Sequence, residues 1–349
     1  MYFPRFFVSH EKNGVSETQC VLCPRHCSIP SGGTGACRVR RSREGKPDLP
    51  FYGFITALGM DPIEKKPLYH FRPGTEILSV GFAGCNLHCP FCQNWHISQS
   101  TDVSGRCINP AELIAGAEKT RQIAYTYSEP LVHAEYLLDC MREARKTGIA
   151  NVLVTNGCVN AEAAAEILEL TDAANIDLKC FSEETYSKVL GGDLETVLIF
   201  IKTALEKGVH VELTTLVVPG LNDSEKELEA CADFIAGLEN SVNSVYGKQA
   251  IPWHLSAYHP DWKWKAPATP ALSLINAAAK ARRRLAYVYP GNLAGEKNDT
   301  VCAHCGKILI GRRGYRVDLS GLSLKEEKEK SAGLRAFCAS CGKPAPVRF

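Results

Sequence analysis

From about residue 75 to residue 290 the chain alternates short, β-branched apolar runs with longer amphipathic stretches. The runs cover residues 76–82, 122–127, 151–155, 175–178, 210–218, 253–257 and 285–289, which are lengths and compositions suited to buried strands. Helix signals fill the gaps. Asn109-Pro110-Ala111-Glu112 offers an N-cap, a proline at the first helical position and an acid at the third. Thr269-Pro270 repeats the cap-and-proline start, and Gly148 and Gly208 stand where helices would end. Alternation of this kind predicts an α/β fold of parallel strands joined by right-handed crossovers. Six or seven such units can build a closed or partial (β/α) barrel, or an open doubly wound sheet. Either arrangement puts the functional site at the carboxyl ends of the strands.

The flanks differ in texture. Residues 1–72 are rich in Pro, Gly and Cys with weak periodicity, and residues 291–349 carry two copies of one cysteine knuckle. We therefore expect three parts: a Cys-rich module (1–72), a strand–helix domain (73–290) and a carboxyl-terminal module (291–349). A chain of 349 residues that is 45% hydrophobic can bury a full core. Forty basic against thirty-eight acidic side chains, a formal charge of +2, do not argue for nucleic-acid or anionic-membrane binding. No apolar run approaches the ~18 residues that span a bilayer. Residues 1–14 lack the apolar core and cleavage site of a signal peptide, so a cytoplasmic protein is expected.

Sixteen cysteines change the picture. Disulfide-dense domains are usually short and secreted, whereas eleven of these cysteines fall into three tight groups, the pattern of metal binding. The other five (Cys107, Cys140, Cys158, Cys180 and Cys231) are expected mostly as small buried hydrophobes. Cys85, Cys89 and Cys92 lie in Gly84-Cys-Asn-Leu-His-Cys-Pro-Phe-Cys-Gln93. Three thiols at that spacing can hold three irons of a [4Fe–4S] cube and leave the fourth open, a sign of chemistry at the metal. A zinc knuckle, or an electron-transfer cluster with a remote fourth ligand, would use the same residues. The triplet follows the first strand by three residues, at the rim where a site belongs, and this favours the reactive cluster.

At the carboxyl end, Cys302-Ala-His-Cys305-Gly306 and Cys338-Ala-Ser-Cys341-Gly342 offer four thiolates, each pair followed by a turn-permitting glycine. Such a set suits structural, tetrahedral zinc in a zinc ribbon, with strand-like residues 307–310 and 315–319 and a charged loop at 325–330 between the pairs. Rubredoxin-like iron is the alternative. At the amino end, Cys20, Cys23, Cys27 and Cys37 form a third four-thiol group that suits zinc and an auxiliary iron–sulfur cluster equally; His26 is an alternative ligand. Its spacing reverses that of Cys85–Cys92.

The triplet within a strand–helix domain resembles the signature of the radical S-adenosylmethionine (SAM) superfamily, and within it the pyruvate-formate-lyase activating enzyme group. Phe91 matches the aromatic position of that signature. Tyr127-Ser128-Glu129-Pro130, Thr155-Asn156-Gly157, Asp177-Leu178-Lys179, residues 214–223 and Ala257-Tyr258-His259 fall in the family's order at strand ends. The flanks resemble the AmmeMemoRadiSam subgroup, named for co-occurrence with AMMECR and Memo proteins, which the resemblance makes candidate partners. It implies a partial (β/α)6 TIM-type barrel with an N-terminal Cys-rich module and a C-terminal zinc ribbon. It also implies a [4Fe–4S] cluster on Cys85, Cys89 and Cys92, and a low-potential electron donor of the flavodoxin or ferredoxin type. SAM would chelate the open iron, and one electron would cleave it to methionine and a hydrogen-abstracting 5′-deoxyadenosyl radical. Phe91 would lie against the adenine, Ser128 and Glu129 at the methionine amino group, and Thr155 and Asn156 near the ribose. Asp177 and Lys179 would share a strand face, with Lys179 at the SAM carboxylate, and His259 would reach SAM or substrate.

Two positions depart from the family's pattern. Tyr127 and Ser128 replace the two glycines of Gly-Gly-Glu-Pro, and Val154 stands where the activating enzymes tend to carry an acid. The substrate implied is a small molecule, peptide or protein side chain; a glycyl-radical-enzyme activase is the alternative. A rival of another class is a non-enzymatic, zinc-dependent interaction or nucleic-acid-binding protein, which would hold zinc without iron or sulfide. Lys280-Ala-Arg-Arg-Arg284 reads as a solvated helix face. Trp253, Trp262 and Trp264 read as lining a substrate mouth or covering the barrel rim.

Overall fold

All seven apolar runs become strands of one sheet, in chain order and parallel. The structure, a computed structural model, describes residues 4–12, 15–241, 243–244, 247–248, 250–295, 297–326 and 334–349; residues 327–330 of the expected charged loop lie outside these. The sheet comprises β1 (Ala57–Pro62), β2 (Glu76–Gly81), β3 (Gln122–Thr126), β4 (Ala150–Thr155), β5 (Ala173–Asp177), β6 (His210–Val217), β7 (Trp253–Ala257) and β8 (Val288–Gly291). Their spatial order is β8-β7-β6-β5-β4-β3-β2-β1, parallel throughout except that β1 pairs antiparallel with β2. Each of the six crossovers from β2 to β8 carries a helix: α1 (Pro110–Ala115), α2 (Ala134–Thr147), α3 (Ala161–Glu169), α4 (Leu194–Glu206), α5 (Glu225–Ser241) and α6 (Ala271–Ala281). Every residue of β3 is buried, as expected of a strand covered on both faces.

The local signals act largely through the chemistry that predicted them. Asn109 accepts from the Glu112 amide at 2.9 Å and caps α1. Gly148 closes α2 at φ +65°, where a side chain would meet its own carbonyl. Thr269 does not cap α6. Its hydroxyl accepts from the Tyr258 amide (2.9 Å) and donates to the Val217 carbonyl (2.6 Å), tying two strand ends together and leaving Pro270 as the cap residue. The run at 285–289 also divides. Leu285 still donates to Ala281 in the last turn of α6 (3.0 Å), and pairing of β8 begins only at Val288.

The boundary expected at residue 72 is crossed by the sheet, because β1 is its antiparallel edge strand. No apolar run marked β1, since its residues alternate between half-buried and exposed as edge strands do. After β1 the chain passes beneath the strands' amino ends, where Glu212 accepts from the Tyr69 and His70 amides (2.9 and 2.7 Å) and from His210 and His254 (3.0 and 2.7 Å). Burial alone would raise this carboxyl, but the two imidazoles hold it well below the usual range. The His70 ring also meets the Pro346 carbonyl (3.0 Å) and the Tyr289 hydroxyl (2.7 Å), joining the carboxyl-terminal module to the same end.

The rest of the amino-terminal module packs on the other end and on α2. Arg40 and Glu135 form an ion pair of 2.6 Å, 1% and 4% exposed. Cys140, Cys158, Cys180 and Cys231 are buried as expected, whereas Cys107 is exposed in a two-residue strand against Phe54. The basic run of α6 pairs with α5: Lys280 with Glu225 (2.7 Å) and Arg284 with Asp233 (2.7 Å). Trp253 is fully buried and donates to Thr215 (3.0 Å), so it belongs to the core rather than to a mouth.

Candidate active site

At the carboxyl ends of the strands lies a cavity of about 320 Å³. Every parallel strand or the segment just beyond it contributes: Cys85, Cys89 and Cys92 after β2, Glu129 after β3, Asn156 after β4, Asp177 and Lys179 at β5, Thr214 on β6, Ser256 on β7 and Asn292 after β8. Parallel strands fold this way because each crossover returns the chain to the same edge, so loops far apart in sequence converge.

The triplet loop leaves β2 through Gly84 at φ +80°, where an added Cβ would lie 2.5 Å from the Cys37 carbonyl oxygen. Glycine is thus required by both backbone and space. The Leu87 amide donates to Cys85 Sγ (3.3 Å), the Asn156 side chain approaches the same sulfur at 3.6 Å, and Ser98 Oγ lies 3.2 Å from Cys92 Sγ. Burial pushes Cys85 well above the ordinary thiol range and Cys89 up to about 12, in the latter case against the pull of Lys179.

Glu129 is fully buried and accepts three hydrogen bonds: Leu131 N (3.0 Å) and Thr155 Oγ1 (2.6 Å) at one oxygen, Asn156 N (2.8 Å) at the other. Burial still carries its pKa up to about 7 against those three donors. The Asn156 side chain donates to Asn86 (2.9 Å) and accepts from the Cys158 amide (2.8 Å), linking the third loop to the triplet loop. Lys179 and Asp177 pair at 2.7 Å. Burial would lower the Lys179 pKa, but Asp177 and the thiols of Cys89 and Cys92 hold it above the usual range. Phe91 is 3% exposed and lines the cavity. Ser128 Oγ and Thr214 Oγ1, both in residues that line the cavity, are buried with no partner among the described residues.

Two expected positions are placed differently. Thr155 does not line the cavity; its hydroxyl is spent on Glu129. His259 is exposed and also outside the cavity lining, because the chain turns outward after Tyr258, whose hydroxyl is tied to the Trp264 carbonyl (2.7 Å). A third group was not foreseen. Lys66, 2% exposed, lines the cavity and pairs with Asp61 (2.7 Å), which also accepts from the Tyr127 hydroxyl. The Lys66 ammonium sits 4.3 Å from the Tyr127 ring centroid. Tyr127 adopts φ +69°, the region glycine favours, and the contact to Asp61 with the Asn94 bond to its carbonyl (2.7 Å) holds it there. No periodic signal marks Lys66, since burying a lysine depends on β1 supplying its partner.

The carboxyl-terminal thiols form a separate centre. Cys302 and Cys341 sulfurs lie 3.7 Å apart, as do those of Cys305 and Cys338. The two knuckles repeat one geometry, with Gly306 and Gly342 at φ +70° and +71°, each amide donating back to the first cysteine of its pair at 2.9 Å. Among the described residues, this set alone has four potential ligand atoms all within 4.8 Å of one another, and it could hold a metal ion.

Comparison with known proteins shows the family. Residues 79–235 match the model of the Radical SAM superfamily. An uncharacterized protein of Methanocaldococcus jannaschii is 37% identical over 331 residues, covering 93% of this chain and 96% of its own. The pyruvate formate-lyase 1-activating enzyme of Escherichia coli is 26% identical over 204 residues, or 56% of this chain and 79% of that enzyme. A solved domain of a pyruvate-formate lyase-activating enzyme from Bacteroides vulgatus aligns with 48% of this chain and 98% of its own, at 21% identity and a TM-score of 0.40. Among the described residues, no helix is long and apolar enough to cross a membrane.

Proposed function

This chain belongs to the radical SAM superfamily, and from that premise we propose that the cavity at its strand ends binds a [4Fe–4S] cluster and SAM. On this reading the enzyme abstracts hydrogen from a small molecule, peptide or protein side chain. The observation that carries the proposal is convergence: Cys85, Cys89, Cys92, Glu129, Asn156, Asp177 and Lys179 share one cavity although they span 95 residues of sequence. That all seven parallel strands feed this cavity supports describing the sheet as a partial barrel. The 3.7 Å sulfur spacing at the carboxyl end supports a zinc ribbon there, and the amino-terminal cysteines complete a three-part organisation in which β1 is lent to the central sheet.

The residues fit these cofactors on two grounds. The donor set at the cavity is three thiols with no fourth cysteine on their loop. Two hydroxyls, of Ser128 and Thr214, are buried there without partners among the described residues, and unsatisfied buried polar groups are costly unless a ligand completes them. When bound, the reduced cluster and SAM supply one-electron cleavage of the sulfonium and, through it, hydrogen-atom abstraction.

The chain's own residues bind and orient. Cys85, Cys89 and Cys92 hold the cluster. Glu129 presents a carboxylate fixed by Leu131, Thr155 and Asn156, suited to an ammonium group. Lys179, kept charged beside Asp177, suits a carboxylate, and Phe91 offers an aromatic wall. Thr155 is a positioning residue for Glu129. The strand-end loops and the buried Lys66–Asp61–Tyr127 group wall the cavity from bulk water. A flavodoxin- or ferredoxin-type donor is the fitting source of the electron.

A second reading, an activase that installs a radical on a partner enzyme, is favoured by the likeness to the Escherichia coli activating enzyme. Anaerobic protein given SAM and dithionite should release 5′-deoxyadenosine, and no release would refute the proposal. Deuterium recovered in that product from a labelled small molecule or from a labelled partner protein would separate the two readings.

A further inference from the structure

The amino-terminal cysteines carry an inference independent of the active-site reading. Cys20, Cys23 and Cys37 are 6%, 9% and 7% exposed, and Cys27 is half-buried. The module folds them toward one another. The Cys20 amide donates to the Cys27 carbonyl (2.9 Å), His26 turns back to Cys23 (3.1 Å), and Gly35 packs against the Cys27 side chain.

Two of the sulfurs are provided with donors. The Arg40 Nε–H donates to Cys20 Sγ at 3.2 Å and the Ala36 amide to Cys27 Sγ at 3.4 Å. Four gathered cysteines, two of their sulfurs receiving N–H donors and one of these donors a guanidinium, form a site for thiolates, and a thiolate in such a shell calls for a metal.

Spacing selects the kind of metal. Four thiolates on one tetrahedral ion at ~2.3 Å stand about 3.8 Å apart, which is the separation in the carboxyl-terminal knuckles (3.7 Å). Thiolates on the separate irons of a cube stand apart by the cube's width plus two iron–sulfur bonds, roughly 6 Å. No three of Cys20, Cys23, Cys27 and Cys37 have sulfurs mutually within 4.8 Å, and the same is true of Cys85, Cys89 and Cys92. The amino-terminal sulfurs thus stand wider apart than those of the knuckles, as thiolates on separate irons do.

We infer that Cys20, Cys23, Cys27 and Cys37 hold a second iron–sulfur cluster, fully ligated by protein, beside the first. The neighbourhood is direct. The Cys37 carbonyl packs on Gly84, next to Cys85, and the Arg25 Nε–H donates to the Asn86 carbonyl at 2.9 Å. Full ligation leaves this cluster no open iron, so it does not bind SAM.

The test uses full-length protein, anaerobically reconstituted with iron and sulfide, as wild type and as the Cys85→Ala/Cys89→Ala/Cys92→Ala variant. The variant should keep iron and acid-labile sulfide in equal amounts, with about one zinc per chain for the knuckles. After dithionite reduction its paramagnetic signal should not change on adding SAM. Retention of about two zincs per chain without sulfide, or no metal beyond the knuckle zinc, would overturn the inference. Should the variant not fold, Mössbauer spectra of the wild type decide. A cluster population indifferent to SAM supports the second site, and iron that responds to SAM in its entirety overturns it. Failure of the active-site proposal reads differently: no iron in the wild type responds to SAM, while the SAM-indifferent cluster is still present.

Discussion

Replacing Glu129 with glutamine tests the active-site reading at its most constrained residue. The substitution keeps the shape of the side chain and removes its charge. One oxygen of Glu129 accepts from Leu131 N and Thr155 Oγ1, the other from Asn156 N at 2.8 Å. A glutamine can keep the first pair of bonds, but its amide nitrogen then faces the Asn156 N–H, donor against donor. A bond to a charged group is worth about 1.5–3 kcal/mol, so loss of the carboxylate–ammonium contact should weaken SAM binding about 10- to 150-fold.

The pH dependence follows from burial. The Glu129 pKa is raised to about 7, and only the ionised form pairs with an ammonium. Wild-type affinity for SAM should therefore be full above pH ~7 and fall as pH drops through that value, by up to about tenfold per unit. The Glu129→Gln variant should bind weakly with a flat profile over the same window. Anaerobic equilibrium dialysis with labelled SAM between pH 6 and 8.5 measures both. A variant that binds within twofold of wild type, with the same pH profile, would refute the assignment of Glu129 to the ligand.

Other substitutions probe the remaining links. Cys89→Ala should abolish 5′-deoxyadenosine release from SAM and dithionite, measured by chromatography. Gly84→Ala places a methyl group 2.5 Å from the Cys37 carbonyl at φ +80°. It should cost about 1–3 kcal/mol in thermal unfolding, and an unchanged midpoint would mean that these loops are not packed together. Arg40→Met leaves Glu135 buried and unpaired, a loss of about 3–5 kcal/mol, while the Arg40→Met/Glu135→Leu double variant should recover most of it; denaturant titrations compare the two. Cys341→Ser should remove the carboxyl-terminal metal, read as loss of about one zinc per chain with the active-site iron retained.

Much of the candidate site was legible because the residues lining its cavity cluster by loop. Cys85, Cys89 and Cys92 share a loop, and Glu129 and Asn156 each follow an apolar run by a few residues, where strand ends expose side chains to a common rim. Thr155 and His259 were misplaced by the same reasoning. Position at a strand end does not say whether a hydroxyl faces the cavity or a neighbouring carboxylate, nor where a loop turns after its last strand residue. Lys66 and Asp61 left no signature, since β1 alternates like a solvent-exposed edge and its role exists only through pairing with β2.

The sequence by itself determined the α/β class, the seven parallel strands and the grouping of eleven cysteines into three clusters along the chain, because periodicity, caps and cysteine spacing are local properties of the chain. The tertiary structure decided which distant loops meet in one cavity, that Lys66 is buried there, and that the sulfurs of the two carboxyl-terminal knuckles meet 3.7 Å apart. These depend on long-range packing, where backbone contacts such as Cys37 against Gly84 fix distances that no stretch of sequence encodes alone.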